Sequence, residues 1–262
     1  MDGGSKTIDR VGAILKVLEN GPEDGMTSTE IAKETGFDKA TAYRALVSLS
    51  RIGLIDREAE SRRFRLGAYL FSLGAVAARR FSVLAHARKA LAAIARETGD
   101  TAFLSVRNKY DSVCIDCAIG SYPIRAQTLT VGESVPLGVS TAGVAMLSTM
   151  DDAEVRHAVQ FNALTITTKF KTIRPDQIYE HVARAKEVGY SLYTGQIIAG
   201  MAGIGRPIRA ADGRGLAVIS VTAVIDRMGE ARVRTINGLL KDAIDDIEQR
   251  ALLIGSQLET LA

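Results

Sequence analysis

The sequence predicts an α+β protein of two domains, an N-terminal winged helix–turn–helix joined by a linker helix to a larger domain built on an antiparallel sheet. Three observations carry that prediction. The first 67 residues read as helix, helix, turn, helix and basic hairpin; the chain then continues as helix from Ala68 to about Thr98; and beyond Gly99 the apolar periodicity shortens toward two residues before a long closing helix. The boundaries follow as 1–67 for the first domain, 68–80 for the linker and 81–262 for the second. Of 262 residues, 47% are hydrophobic and 24% charged, a globular composition that excludes fibre and disorder. No apolar run approaches the roughly 18 residues that a membrane span needs, and MDGGSKTIDR lacks the apolar core of a secretory signal, so a cytoplasmic protein without membrane partners is expected.

Residues 7–20 place Val11, Ile14, Leu15 and Leu18 on one helical stripe, which Asn20-Gly21-Pro22 ends. In TSTEIAKETG, Thr27 and Glu30 have capping-box spacing and Gly36 suits a left-handed C-cap. Asp38 caps the next helix, which runs to Gly53 with Ala42, Ala45, Leu46, Leu49 and Ile52 facing inward. Its other face, Ala40, Tyr43, Arg44, Val47 and Arg51, is half apolar, which is odd for plain solvent. LIDRE and RFRLG then form a hairpin whose tip is Ala59-Glu60-Ser61-Arg62. The net charge of +3 says little by itself, yet Lys39, Arg44, Arg51, Arg57, Arg62, Arg63 and Arg65 make this segment locally basic. Helix–turn–helix followed by a basic wing is a DNA-binding order.

Leu66, Leu70, Leu73, Ala77 and Leu84 lie near 3.5-residue spacing and form either a dimer seam or an intradomain packing face. Strands are expected at TAFLSV, DSVCIDCA and RAQTL, helices at TAGVAMLSTM and PDQIYEHVARAKEVG, and strands at SLY, MAGIGRPI and GLAVISVTAVI, the last two joined through Asp212-Gly213. A helix from near Gly229 carries Val233, Ile236, Leu240, Ala243, Ile247, Ala251, Ile254 and Leu258.

The signatures of hydrolases, zincins and NTPases are missing, so no catalytic residue is expected. His86, His157 and His181 fall in helical stretches without a nucleophile beside them. Cys114 and Cys117 form a lone CxxC on a strand, where positions i and i+3 face opposite ways, so neither a metal nor a redox role is expected, and no cofactor. Two clusters of small polar residues remain. Ser140, Thr141 and Gly143 open a helix, and Ser220 and Thr222 share one face of an otherwise apolar strand; together they suit a pocket for a small carboxylate. The glycines of GMAGIG let a ligand or a packing neighbour approach the strand closely.

These segments resemble the IclR (isocitrate lyase regulator) family of bacterial transcription factors nearly end to end. TSTEIAKETGFDKATAYRALVSLSRIGLIDRE with RFRLG is similar to its winged helix–turn–helix; VGESVPLGVSTAGVAML, KTIRPDQI, EVGYSLYTGQIIAGMAGIGRPI and GLAVISVTAVIDR are similar to motifs of its GAF-like effector-binding domain. Where the family carries an acidic stretch, this chain has Tyr193-Thr194-Gly195-Gln196; Gly203 replaces a cysteine and Gly138 a histidine.

The resemblance implies a ligand-responsive regulator that binds double-stranded DNA as a homodimer or homotetramer. Its DNA-binding residues are expected to be Lys39, Ala40, Thr41, Tyr43 and Arg44, with Arg62, Arg63 and Arg65 on phosphates or in the minor groove. The effector residues are expected to be Ser140, Thr141, Ala142, Gly143, Met146, Tyr193, Gly203, Ile204, Ser220 and Thr222. With no cysteine and no opposing carboxylate in the pocket, an aromatic or otherwise apolar carboxylate is the expected effector. The rival is a small-molecule enzyme carrying an accessory domain of this kind.

Overall fold

The computed structural model describes residues 5–78, 82–124, 126, 128–195 and 198–260. The chain divides into two compact units, Met1–Phe81 and Ser82–Ala262. In the first, α1 (Lys6–Glu19), α2 (Ser28–Thr35) and α3 (Lys39–Arg51) pack with the antiparallel pair β1 (Ile55–Arg57) and β2 (Phe64–Leu66), and α4 (Ala68–Ala78) follows. Ile14, Leu18, Ile31, Leu46, Leu49, Ile55 and Phe64 close its core. The local signals act as expected. The Thr27 side chain accepts from the Glu30 amide while Glu30 accepts from the Thr27 amide, Gly36 is left-handed, and Asp38 accepts from the Thr41 amide at 2.8 Å. Ile52 departs from expectation. It is the residue after α3's last turn and is 54% exposed, because the helical stripe stops applying where the helix stops.

The second unit holds a sheet of order β5-β4-β3-β8-β7-β6 with antiparallel neighbours. Its strands are β3 (Thr101–Asn108), β4 (Asp111–Ala118), β5 (Ser134–Pro136), β6 (Ser191–Thr194), β7 (Met201–Arg209) and β8 (Gly215–Val224). On one face, α5 (Ser82–Thr98) and α9 (Glu230–Thr260) bury Leu91, Ile94, Ile236, Leu240 and Ile244 against Leu104, Ile204, Ile219 and Val221. On the other lie α6 (Thr141–Leu147), α7 (Asp152–Lys169) and α8 (Pro175–Val188), around Leu137, Met146, Val159, Ile166 and Ile178.

Three expectations change here. RAQTL is not a strand at Ala126, Thr128 or Leu129, while Arg125 and Gln127 lie outside the described residues. The edge strand is instead β5, beside β4. Of α7 only the helical setting of His157 was foreseen; it buries Val155, Val159 and Ile166 but leaves Phe161 and Leu164 69% and 76% exposed, so apolar residues on opposing sides blur its stripe. The helical run from Ala68 to Thr98 is described as α4 and α5, with 79–81 outside the described residues. Ala251, Ile254 and Leu258 lie on α9, at positions whose side chains are outside the description.

Candidate functional site

On the first unit, the 3.6-residue repeat that buries Ala42, Leu46 and Leu49 turns Lys39, Ala40, Tyr43, Arg44 and Val47 outward. Thr41 is half-buried, and the Arg44 guanidinium donates to its Oγ1 at 3.3 Å, which draws the cation toward the N-terminal turn of α3. The three arginines of the hairpin differ. Arg62 is exposed at the tip with φ of 55°. Arg65 is exposed and pairs with Glu58 at 3.3 Å. Arg63 is a correction: it is half-buried, its Nη1 donates to the Gly25 carbonyl at 2.7 Å, and Asp24 and Glu30 lie 3.5 and 3.6 Å from its guanidinium. Its donors fasten the wing to the start of α2, so it is no free phosphate clamp.

On the second unit a cavity of about 270 Å³ lies between the sheet and α6. Sheet register builds its floor. Phe103 opposes Ser220, which opposes Gly205, and Thr222 opposes Gly203, so Phe103, Ser220, Thr222 and Gly203 share the face away from α5 and α9. Ser140, Thr141 and Ala142 supply the wall from α6. The Ser140 hydroxyl caps α6 by accepting from the Gly143 amide at 2.9 Å. Thr141, Ser220 and Thr222 are each at least nine-tenths buried, and their hydroxyls have no hydrogen-bond partner among the described residues. A Cβ on Gly203 would stand 2.6 Å from Thr141 Oγ1 and 3.4 Å from Thr222 Oγ1; glycine is what keeps this hydroxyl cluster open. Gly205 has the other role foreseen for these glycines, with its α-carbon packed against Thr141, Ser191 and Ser220.

Tyr193 both packs and lines the cavity. Its hydroxyl donates to the Gly138 carbonyl at 2.7 Å, the His181 ring sits 4.5 Å behind it, and burial pushes the phenol well above its ordinary range and the imidazole below. The phenol is therefore neutral and its hydroxyl is committed to the Gly138 carbonyl.

Seven of the ten expected effector residues line the cavity, Ser140, Thr141, Ala142, Tyr193, Gly203, Ser220 and Thr222. Three are corrections. Ile204 points to the opposite sheet face, as strand alternation requires beside Gly203, and packs with α5 and α9. Met146 is fully buried in the core around α6, and the Gly143 amide is already satisfied by Ser140. Apolar lining not foreseen comes from Phe103, Leu129, Val135, Val139, Phe170, Ile198 and Met201. Glu133 also lines the cavity, which overturns the expectation of no carboxylate there. Val139, next to Ser140, and Met201, two residues before Gly203, had a local signal; the rest arrive from other segments.

The family description "IclR helix-turn-helix domain" matches residues 7–59, and "Bacterial transcriptional regulator IclR C-terminal" matches residues 75–249. The chain belongs to the IclR family. It is a ligand-responsive transcriptional regulator of the IclR type, with an N-terminal DNA-binding helix–turn–helix domain. The HTH-type transcriptional regulator BhcR of Paracoccus denitrificans is 26% identical over 94% of this chain and 87% of its own length. The transcriptional repressor IclR of Escherichia coli is 23% identical over 89% of this chain and 86% of its own. Among solved structures, an IclR regulator from Alicyclobacillus acidocaldarius superposes with a TM-score of 0.78 at 25% identity, over 94% of this chain and 98% of that one. An IclR homolog from Microbacterium hydrocarbonoxydans, solved with 4-hydroxybenzoate, gives 0.72 at 18% identity over 93% and 98%.

The cysteines of this IclR-family protein correct a further expectation. A bulge inserts Ile115 between the pairs Ser105–Cys114 and Leu104–Asp116, while Cys117 opposes Phe103. The extra residue restores both cysteines to the face of Phe103 and Ser105, and sends Asp116 to the other face, where Arg88 of α5 pairs with it at 2.9 Å. Among the described residues no three His, Cys, Asp or Glu side chains assemble as a metal site. Burial pushes the Cys114 thiol from 9.0 up to about 12, and Cys117 is raised in the same direction. The sign is set by the thiolate: the unfolded chain ionises near 9.0 while the folded chain resists to about 12, so this group lowers stability as pH rises through that interval. Cys114 is therefore expected to alkylate at pH 8 far more slowly than a free thiol, and mass spectrometry of iodoacetamide-treated native protein checks it. Labelling at the rate of the urea-unfolded chain would show the site to be open.

Proposed function

We propose that this regulator reads its operator with α3 in the major groove, through Lys39, Ala40, Thr41, Tyr43 and Arg44, while Arg62 and Arg65 of the hairpin neutralise phosphates. Arg63 acts indirectly by fixing the wing. The cavity takes a small aromatic or otherwise apolar effector whose carboxylate or carbonyl oxygen faces the hydroxyls of Thr141, Ser220 and Thr222. Its occupation changes the relative placement of paired DNA-binding domains in a homodimer or homotetramer. Partnering through α4 fits its exposed Tyr69, Phe71, Leu73 and Val76. The protein is a binder without catalysis, working in the cytoplasm where its DNA is. Among the described residues no helix is long and apolar enough to cross a membrane.

The observation that carries this reading is the largely apolar cavity containing three hydroxyls without partners among the described residues, set in the matched IclR C-terminal region. Gel-shift titrations test the DNA half. Arg44→Ala is expected to weaken operator binding by about 1–3 kcal/mol with the fold intact, since no apolar surface is unburied. Arg62→Ala is expected to weaken all sequences alike and to flatten the log–log salt slope by roughly 0.9. Operator binding by Arg44→Ala equal to the parent's would remove α3 from the groove. Recovery of a bound ligand in altered chemical form would favour an enzyme instead.

A further inference from the structure

We infer that the cavity selects its effector at two chemically opposite ends: a hydrogen-bond acceptor held by Thr141, Ser220 and Thr222, and a hydroxyl or amine donor held by the Glu133 carboxylate. The inference rests on the reading of this cavity as the effector site, and narrows the ligand to a two-ended apolar molecule with unlike ends.

Each end is built differently. The hydroxyl end lies on β8 and α6 around Gly203 of β7, and its three side chains are buried without partners among the described residues. A buried hydroxyl left unpaired costs on the order of 1–3 kcal/mol, so a ligand oxygen that accepts from it recovers that cost. The acid end lies at the β5 edge of the sheet, whereas β8 and β7 are interior strands. The Glu133 carbonyl accepts from the Cys114 amide, which fixes Glu133 immediately before β5. Its Oε2 accepts from both the amide and the hydroxyl of Thr130, at 2.9 and 3.2 Å. Oε1 has no partner among the described residues, and the side chain lines the cavity.

Strand order separates the ends. From β5 to β8 is three steps through β4 and β3, on the order of 14 Å at the backbone, so one ligand group cannot serve both. Apolar side chains fill the distance, among them Phe103 of β3 and Val135 of β5. A second ligand acid would meet the like charge of the half-buried Glu133, whereas a donor would complete its open oxygen. An effector with acceptors at both ends is therefore disfavoured, and one with an acceptor and a donor is favoured.

Two para-substituted probes separate these cases by calorimetry. The ring ketone 4′-hydroxyacetophenone has one acceptor end and one donor end, while 4-acetylbenzoate presents an acceptor to Glu133 in either orientation. The parent is expected to bind the hydroxy ketone at least tenfold more tightly. Glu133→Gln keeps an oxygen for Thr130 and turns an amide donor to the cavity, so the preference is expected to reverse, which a merely structural role for Glu133 would not produce. An unchanged ratio between probes that both bind overturns the donor end and leaves the effector cavity standing. Binding of neither probe to either protein overturns the two-ended ring ligand, and binding that survives blockage at Gly203 overturns the cavity reading itself.

Discussion

Replacement of Asp100 by alanine is expected to lower the unfolding free energy of the second unit by about 2–4 kcal/mol. Asp100 is 2% exposed at the junction of α5 and β3, and its carboxylate receives Arg227 Nε at 3.0 Å and Arg232 Nη2 at 2.7 Å. Both arginines also donate to the Thr98 carbonyl, and the Arg227 guanidinium lies 3.8 Å from the Tyr122 ring centroid. One buried acid thus ties α5 to the turn after β8 and to the first turn of α9. Its loss leaves two adjacent cations sharing the Thr98 carbonyl without a carboxylate to offset them. The arginines are 25% and 36% exposed, so water meets part of the loss and the expected cost falls below the roughly 3–5 kcal/mol of a fully buried broken pair. Urea unfolding of Asp100→Ala and Asp100→Asn checks it, with asparagine intermediate because it keeps the volume and an acceptor oxygen. A change under about 1 kcal/mol in alanine would mean that solvent satisfies both arginines.

Gly203→Val is expected to abolish the effector response while leaving operator binding in place. The first added carbon already falls 2.6 Å from Thr141 Oγ1, and the two methyls beyond it enter a cavity of about 270 Å³ at its hydroxyl end. Overpacking of this kind typically costs 1–3 kcal/mol, so the protein is expected to fold with a lowered melting temperature. The readout is paired: calorimetric affinity for the effector, expected to fall at least tenfold, and gel-shift affinity for the operator, expected to hold. Wild-type effector affinity in the variant would place the ligand away from Thr141 and Thr222.

What could be read in advance divides along the range of the interactions involved. The capping box of Thr27 and Glu30, the Asp38 cap, the left-handed Gly36 and the buried and exposed faces of α3 depend on residues within about one helical turn of each other, so the chain states them directly. Ile52 misleads because a stripe carries no mark of where its helix ends. The small polar residues Ser140, Thr141, Ser220 and Thr222 stood out because hydroxyls amid Val and Ile need a reason.

By itself the sequence determined the family, the order of helix–turn–helix, wing and α+β domain, and most of the hydroxyl end of the cavity. Tertiary structure decided the rest. Sheet register set Phe103 beside Ser220 and turned Ile204 away, the bulge at Ile115 brought Cys114 and Cys117 to one face, and strand order carried Glu133 to the far edge of the same cavity. Arg63, one of three similar arginines in the sequence, became an internal fastener only because the Gly25 carbonyl and the acids Asp24 and Glu30 fold beside it. Propensity, capping and alternation act over a few residues and leave their mark in the local pattern; which strand neighbours which, and therefore which side chains share a cavity, is fixed by packing between segments that the pattern does not connect.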